Sequence, residues 1–220
     1  MKPTSRLLLP LLFCYTFCLS QSKKEILIDI SNKYQVIREL LDSDALRQHH
    51  TNYVCEESSD NGSLTFYYNS SELKHILHIY TLGHVIYKDE YYIWDDQLFF
   101  QFATHKVKYK DYKRNKYGKL TQIKVTLNLE ERFYFHNNEI IKCQFKDFET
   151  RSSNRKNPKT NYVRNQTVSC DQADKVMLKF NTLLQNQELN LTNNCLLPRS
   201  ISKILSDDVI YSNLGINHKN

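Results

Sequence analysis

Glycine is scarce in this chain. Four occur in 220 residues: Gly62, Gly83, Gly118 and Gly215. Phosphate-cradling loops and nucleophile elbows both need glycine where the backbone turns sharply, so its scarcity counts against both. No His-Glu-x-x-His and no Cys-x-x-Cys is present, which removes the commonest zinc signatures. No cofactor is implied. Long apolar runs are also missing. The run from Leu7 to Leu19 has 13 residues, short of the roughly 18 that mark a membrane-spanning helix.

That run has another use. Lys2 and Arg6 precede it, and Cys18 and Ser20 supply small residues before a cut ahead of Gln21. This is the layout of a secretory signal peptide over residues 1–20, so export to a periplasmic or extracellular location is expected, with no spanning segment afterwards. Without those residues the 30 cations become 28 against 24 acids, a net charge of +4. So mild a charge does not argue for dedicated nucleic-acid binding. Cys55, Cys143, Cys170 and Cys195 remain, enough for two disulfides in three connectivities. Cys170–Cys195 is the preferred pair, enclosing a helix within a loop of about 25 residues. Cys143 is read as buried or bridged to Cys55.

What is abundant is aromatic residues: 15 Tyr and 11 Phe. One pattern recurs three times: Tyr67-Tyr68-Asn69-Ser70-Ser71-Glu72-Leu73, Tyr92-Ile93-Trp94-Asp95-Asp96-Gln97-Leu98 and Tyr134-Phe135-His136-Asn137-Asn138-Glu139-Ile140. Aromatic residues favour pleated surfaces, and Asn, Asp and Ser tolerate tight turns. Each copy therefore reads as the tip of a β-hairpin, and three hairpins in succession make an antiparallel meander. Strands are expected over 63–68 with 73–80, 84–94 with 98–105, and 120–136 with 140–148, the 120–136 stretch as two strands or one long bulged strand. An edge strand is expected at 49–57. Ile26, Ile30, Tyr34, Ile37 and Leu41 form a stripe on a first helix over 23–43. Ala173, Val176, Met177, Phe180, Leu183 and Leu184 do so on a second over 171–184, with Asp171 as its cap. The expected fold is α+β: a single domain over 21–205, with a meander core at 51–148 of six or seven strands. Both helices are expected on one face of the sheet. A short final helix around Ile201, Ile204 and Leu205 and a tail at 206–220 complete the reading.

The run Glu131 to Ile141 resembles a recurring line in uncharacterised exported bacterial proteins, and so does Glu90 to Phe100. Those lines run Arg-Tyr-Tyr-Phe-x-x-Gly-x-Leu and Glu-Tyr-Tyr-Phe-x-x-Gly-x-Leu. The resemblance spans about Asp60 to Phe148 and departs at the turns, where Asp96 and Asn138 stand in place of Gly. It implies export and a β-meander, and it implies no reaction.

Candidate chemistry is dispersed. The eight histidines are badly spaced for a metal: His75 and His78 fall on opposite faces of a strand, as do His49 and His50. The carboxylate pairs Asp89-Glu90, Asp95-Asp96 and Glu130-Glu131 are adjacent, so each pair splits in the same way. Cys143 lies beside Lys142, which projects to the other face. Sequons at Asn61, Asn69, Asn165 and Asn190 matter only in a eukaryotic secretory pathway. The sharpest local feature is 106–119, with seven cations, one acid and interleaved Tyr109, Tyr112 and Tyr117. It reads as a basic loop, or as two strand ends around a turn at 115–118. A second basic segment, 151–164, reads as a linker or a mobile loop. The expected function is a non-enzymatic binding or scaffold protein contacting an envelope protein, an anionic glycan or a lipid head group. Lys108, Lys110, Tyr112, Lys113 and Arg114 are its basic contacts. Tyr68, Tyr91, Tyr92, Trp94 and Tyr134 are candidate contacts on an aromatic outer face. The alternative is an envelope hydrolase with a pocket between sheet and helices, which would need His, Asp, Glu or Cys converging there.

Overall fold

The computed structural model describes residues 22–54, 61–154, 156–187, 197, 200 and 201. The signal-peptide reading, Cys55, Cys195, Ile204, Leu205 and the C-terminal tail lie outside them.

Helix α1 spans Lys23–Asp42. Ser22 caps it through a reciprocal pair with Glu25, each side chain accepting from the other's backbone N–H. The strands follow in order: β1 Arg47–Val54, β2 Asn61–Asn69, β3 Glu72–Leu82, β4 Val85–Trp94, β5 Gln97–Arg114, β6 Leu120–His136, β7 Glu139–Arg151 and β8 Gln166–Val168. Helix α2 is Ala173–Gln185. Its cap is Gln172 without a side-chain bond, and Asp171 instead accepts from the Ser169 hydroxyl.

The sheet is an uninterrupted antiparallel meander of eight strands in the order β1 to β8. That is one or two more strands than the sequence reading allows. The extra strand is β8, three exposed residues carrying no apolar alternation to reveal them. Strand β6 is a single strand with a register shift at Tyr134/Phe135. At the tips, Asp95, Asp96, Asn137 and Asn138 all have positive φ, from 50 to 63°. Two consecutive left-handed residues define the tight hairpin turn that matches strand twist. Asp and Asn thus take the left-handed conformation that Gly adopts at least cost. Gly62 has a different reason. It lies directly opposite Tyr53, and a methyl there would collide with the Tyr53 hydroxyl and sit 2.7 Å from the Ile79 carbonyl oxygen.

The helices occupy opposite faces, which corrects the expectation of one shared face. Tyr91 and Tyr92 are adjacent on β4 and so project to opposite sides. Tyr91 stacks on Phe180 of α2 with centroids 5.8 Å apart, while Tyr92 lies 4.9 Å from Tyr34 of α1. The larger core joins Tyr53, Phe66, Ile76, Leu129, Phe133 and Phe135 of the sheet to Val176, Phe180 and Leu183 of α2, with Leu197 and Ile201. The smaller joins Ile30 and Ile37 of α1 to Tyr92, Phe99 and Phe100. Aromatic residues on both sheet faces are explained by a helix on each.

A disulfide joins Cys143 of β7 to Cys170, with Cα atoms 5.5 Å apart. This replaces the expected pairing of Cys170 with Cys195 and of Cys143 with Cys55. Val168 pairs with Cys143 in the β7–β8 ladder, so Cys170 arrives two residues beyond that position.

Candidate functional site

The longest strands reach past the body of the sheet. The end of β5 and the start of β6 form a two-stranded arm closed by a turn at Asn115–Lys119. The Asn115 carboxamide oxygen accepts from the backbone N–H of Tyr117 and Lys119, and Gly118 takes φ +75°. The basic segment 106–119 is therefore two strand ends around a turn, one of the two forms open from sequence.

Strand alternation sorts its charges. Lys106, Lys108, Lys110, Tyr112 and Arg114 share the face of Phe100, the α1 side of the sheet. Lys124 of β6 lies directly opposite Lys110, Thr126 opposite Lys108 and Gln122 opposite Tyr112. All five of these cations are exposed, and none forms an ion pair with a carboxylate among the described residues. Like charges directly opposed across a ladder destabilise it, so Lys110 against Lys124 is a cost the isolated sheet does not offset. Asp111 and Glu149 lie on the other face. There Arg151 bridges Asp111 at 2.8 Å and Glu149 at 2.7 Å, and the Tyr109 hydroxyl donates to Glu149. The backbone N–H of Tyr112, with Arg151, holds the Asp111 carboxyl below its ordinary range. Lys113 belongs to this second face, so the arm divides the expected basic contacts. Tyr112, Tyr117 and Leu120 near the tip are 62, 79 and 55% exposed.

The expected aromatic contacts fare differently. Tyr91 and Tyr92 are fully buried beneath the helices and are not surface contacts. Tyr68 is half-buried under the Arg47 guanidinium, and Trp94 is half-buried beneath Lys74, 4.0 Å from its ring. Tyr134 lines a cavity. That cavity, about 360 Å³, lies between α1 and β5–β7, with Tyr34, Phe100, Phe102, Arg132 and Lys142 among its walls.

Two ionic clusters are buried in the body. Between the sheet and α2, Asp89 accepts from the Tyr80 hydroxyl at 3.1 Å and from Lys179 Nζ at 2.9 Å. His105 Nε2 stands 3.9 Å from both Asp89 and Glu131, and the Tyr53 hydroxyl is 2.7 Å from His78 Nε2. Burial alone would raise the Asp89 carboxyl, but the Lys179 ammonium and then His105 more than offset it and hold it well below the usual range. Burial holds the His78 imidazole down to about 3, so it is neutral. On the α1 side, Glu90 is 2.6 Å from Lys88 and accepts from the Tyr92 hydroxyl, with His75 3.6 Å away. Burial would raise the Glu90 carboxyl, yet His75 and Lys88 bring it down to about 2. His75 and His78 do face apart. His78 and His105, 27 positions apart in sequence, are brought beside the same carboxylate, Asp89, only through the registers of β3, β4 and β5. The expectation that titratable groups stay dispersed therefore fails for the α2 side.

Among the described residues no group of His, Cys, Asp and Glu is arranged to hold a metal ion. No helix among them is long and apolar enough to cross a membrane, which leaves strands unaddressed. Comparison with known protein families, with curated proteins and with solved structures finds no match to this chain.

Proposed function

We propose that this is an exported, non-enzymatic binding protein that docks on an anionic lipid surface through one face of the β5–β6 arm. The observation that carries the reading is the opposed pair Lys110 and Lys124, set among Lys106, Lys108 and Arg114, with Asp111 and Glu149 turned to the other face and held there by Arg151. Five such cations at roughly 1 kcal/mol each near a charged membrane give only weak, salt-dependent docking, in the millimolar-to-micromolar range. Tyr112, Tyr117 and Leu120 add apolar contact at the tip, where a tyrosine's wet and dry ends both find partners at the headgroup level. A soluble glycan would recognise the cations but has less use for those exposed apolar groups, so the lipid surface is the better fit.

The test is co-sedimentation with vesicles of phosphatidylcholine alone or mixed with phosphatidylglycerol. The purified protein is expected to sediment with the anionic vesicles only. Lys108→Gln/Lys110→Gln/Lys124→Gln should release it, and Lys113→Gln, on the other face, should not. Binding indifferent to the triple substitution overturns the reading, and retention on heparin without vesicle binding replaces the lipid with a glycan.

A second reading, a hydrolase with its centre between sheet and α2, draws on the convergence of Asp89, His105, His78 and Glu131. Lys179 already occupies Asp89, so water activation there needs α2 to move. A hydrolytic activity lost in Asp89→Asn, with the fold retained, would favour it over docking.

A further inference from the structure

The cavity between α1 and the sheet lies apart from the tip of the arm and has a chemistry of its own. Its walls are Leu27, Ile30 and Tyr34 on one side and Phe100, Phe102 and Tyr134 on the other. The rings are not packed flat against one another. Tyr34 meets Phe100 edge-on at 5.5 Å, and Phe100 meets Tyr134 at 5.0 Å and 46°. Such an arrangement offers both faces and edges to a flat guest.

The two charged side chains that line it, Arg132 and Lys142, are both positive. Lys142 Nζ lies 5.2 Å from the Tyr134 ring centroid, and the Arg132 guanidinium lies 4.6 Å from that of Phe102. Arg132 donates to Glu130 and to Asn165 at 2.8 and 2.9 Å. Glu130 also takes Lys146 at 3.1 Å. Counting Arg132, Lys142 and Lys146 against Glu130 leaves two positive charges, and no acid lines the cavity itself. Lys142 has no carboxylate partner among the described residues. A volume of about 360 Å³ is at the small end of ligand sites and holds a bicyclic ring system with one substituent.

We propose that this cavity binds a small aromatic anion, its rings between Tyr34, Phe100, Phe102 and Tyr134 and its acid group at Lys142 and Arg132. The cations select the charge and the rings select the body. The site is independent of the docking face, so either can fail without the other.

The experiment is calorimetric titration of the purified protein with 2-naphthalenesulfonate and with the neutral 2-naphthalenemethanol. The sulfonate is expected to bind about tenfold tighter, the ratio that one partly exposed charge contact supplies. Lys142→Glu should weaken the sulfonate by about tenfold or more and leave the alcohol unchanged. Ser31→Trp, at an exposed position of α1 lining the cavity, should block both while leaving the thermal melt in place. Lys156→Glu makes the same change in net charge at an exposed loop position and should alter neither. Equal affinity for sulfonate and alcohol, a Lys142→Glu loss matched by Lys156→Glu, or binding untouched by Ser31→Trp would each overturn the proposal.

Discussion

Lys179 of α2 reaches across the interior to place its Nζ 2.9 Å from Oδ2 of Asp89, a carboxylate with no solvent exposure. Tyr80 supplies a second donor to the same oxygen. A buried ion pair contributes little net stability compared with apolar side chains of the same size, but losing one partner strands the other. Lys179→Met should therefore cost about 3–5 kcal/mol. Asp89→Asn/Lys179→Met should recover part of that loss, because no unpaired charge then remains. Urea melts of the wild type, the single and the double variant decide the matter.

The Cys143–Cys170 bridge fastens the start of α2 to the sheet. With its ends 27 positions apart in sequence, the chain-entropy model gives it about 3–4 kcal/mol. Cys170→Ser should lower the melting temperature, and reductant should lower that of the wild type by more than that of the variant. Peptide mapping without reduction should recover Cys143 and Cys170 in one cross-linked fragment.

Acid should weaken the fold before the carboxylates titrate. His78 binds its proton at about 3 when folded and near 6.5 when unfolded. The unfolded chain thus holds more protons between these values, so stability rises with pH across that window. The contribution is complete above about pH 6.5 and is lost as pH falls toward 3. Burial lowers His75 in the same direction. Asp89, also lowered, adds its loss only below about pH 4. Urea midpoints should fall between pH 7 and 4.5, and His78→Gln should flatten that slope.

Asn138 stands at φ +63° in the β6–β7 turn. A β-branched residue there meets its own carbonyl oxygen, at about 1–2 kcal/mol. Asn138→Val should be destabilised by that amount, while Asn138→Gly should match or exceed the wild type. Chemical denaturation reads both.

Hairpin tips were legible in the sequence because turn chemistry is local: Asp95-Asp96 and Asn137-Asn138 declare themselves. The helix faces were not. Tyr91 and Tyr92 are both aromatic, so alternation cannot tell a sheet covered on one side from a sheet covered on both. The disulfide depends on β8, whose residues Gln166, Thr167 and Val168 carry no strand pattern. The placement of His78 and His105 beside Asp89 depends on register across three strands, a long-range property that residue spacing does not encode. The arm was half legible. Its charge was plain, but the division between Lys110 and Lys113 required the strand that places them on opposite faces. The cavity was invisible, since its walls come from α1 and from three strands.

The docking reading can be tested most directly by asking which face of the arm meets the lipid. Tyr112→Trp places a polarity reporter on the proposed face, and Lys113→Trp places one on the reverse. Added to vesicles containing phosphatidylglycerol, the Tyr112→Trp protein should show a blue-shifted emission beyond that of the native Trp94, reversed by high salt, and Lys113→Trp should show none. Equal shifts at both positions, or none at Tyr112→Trp, would contradict the account.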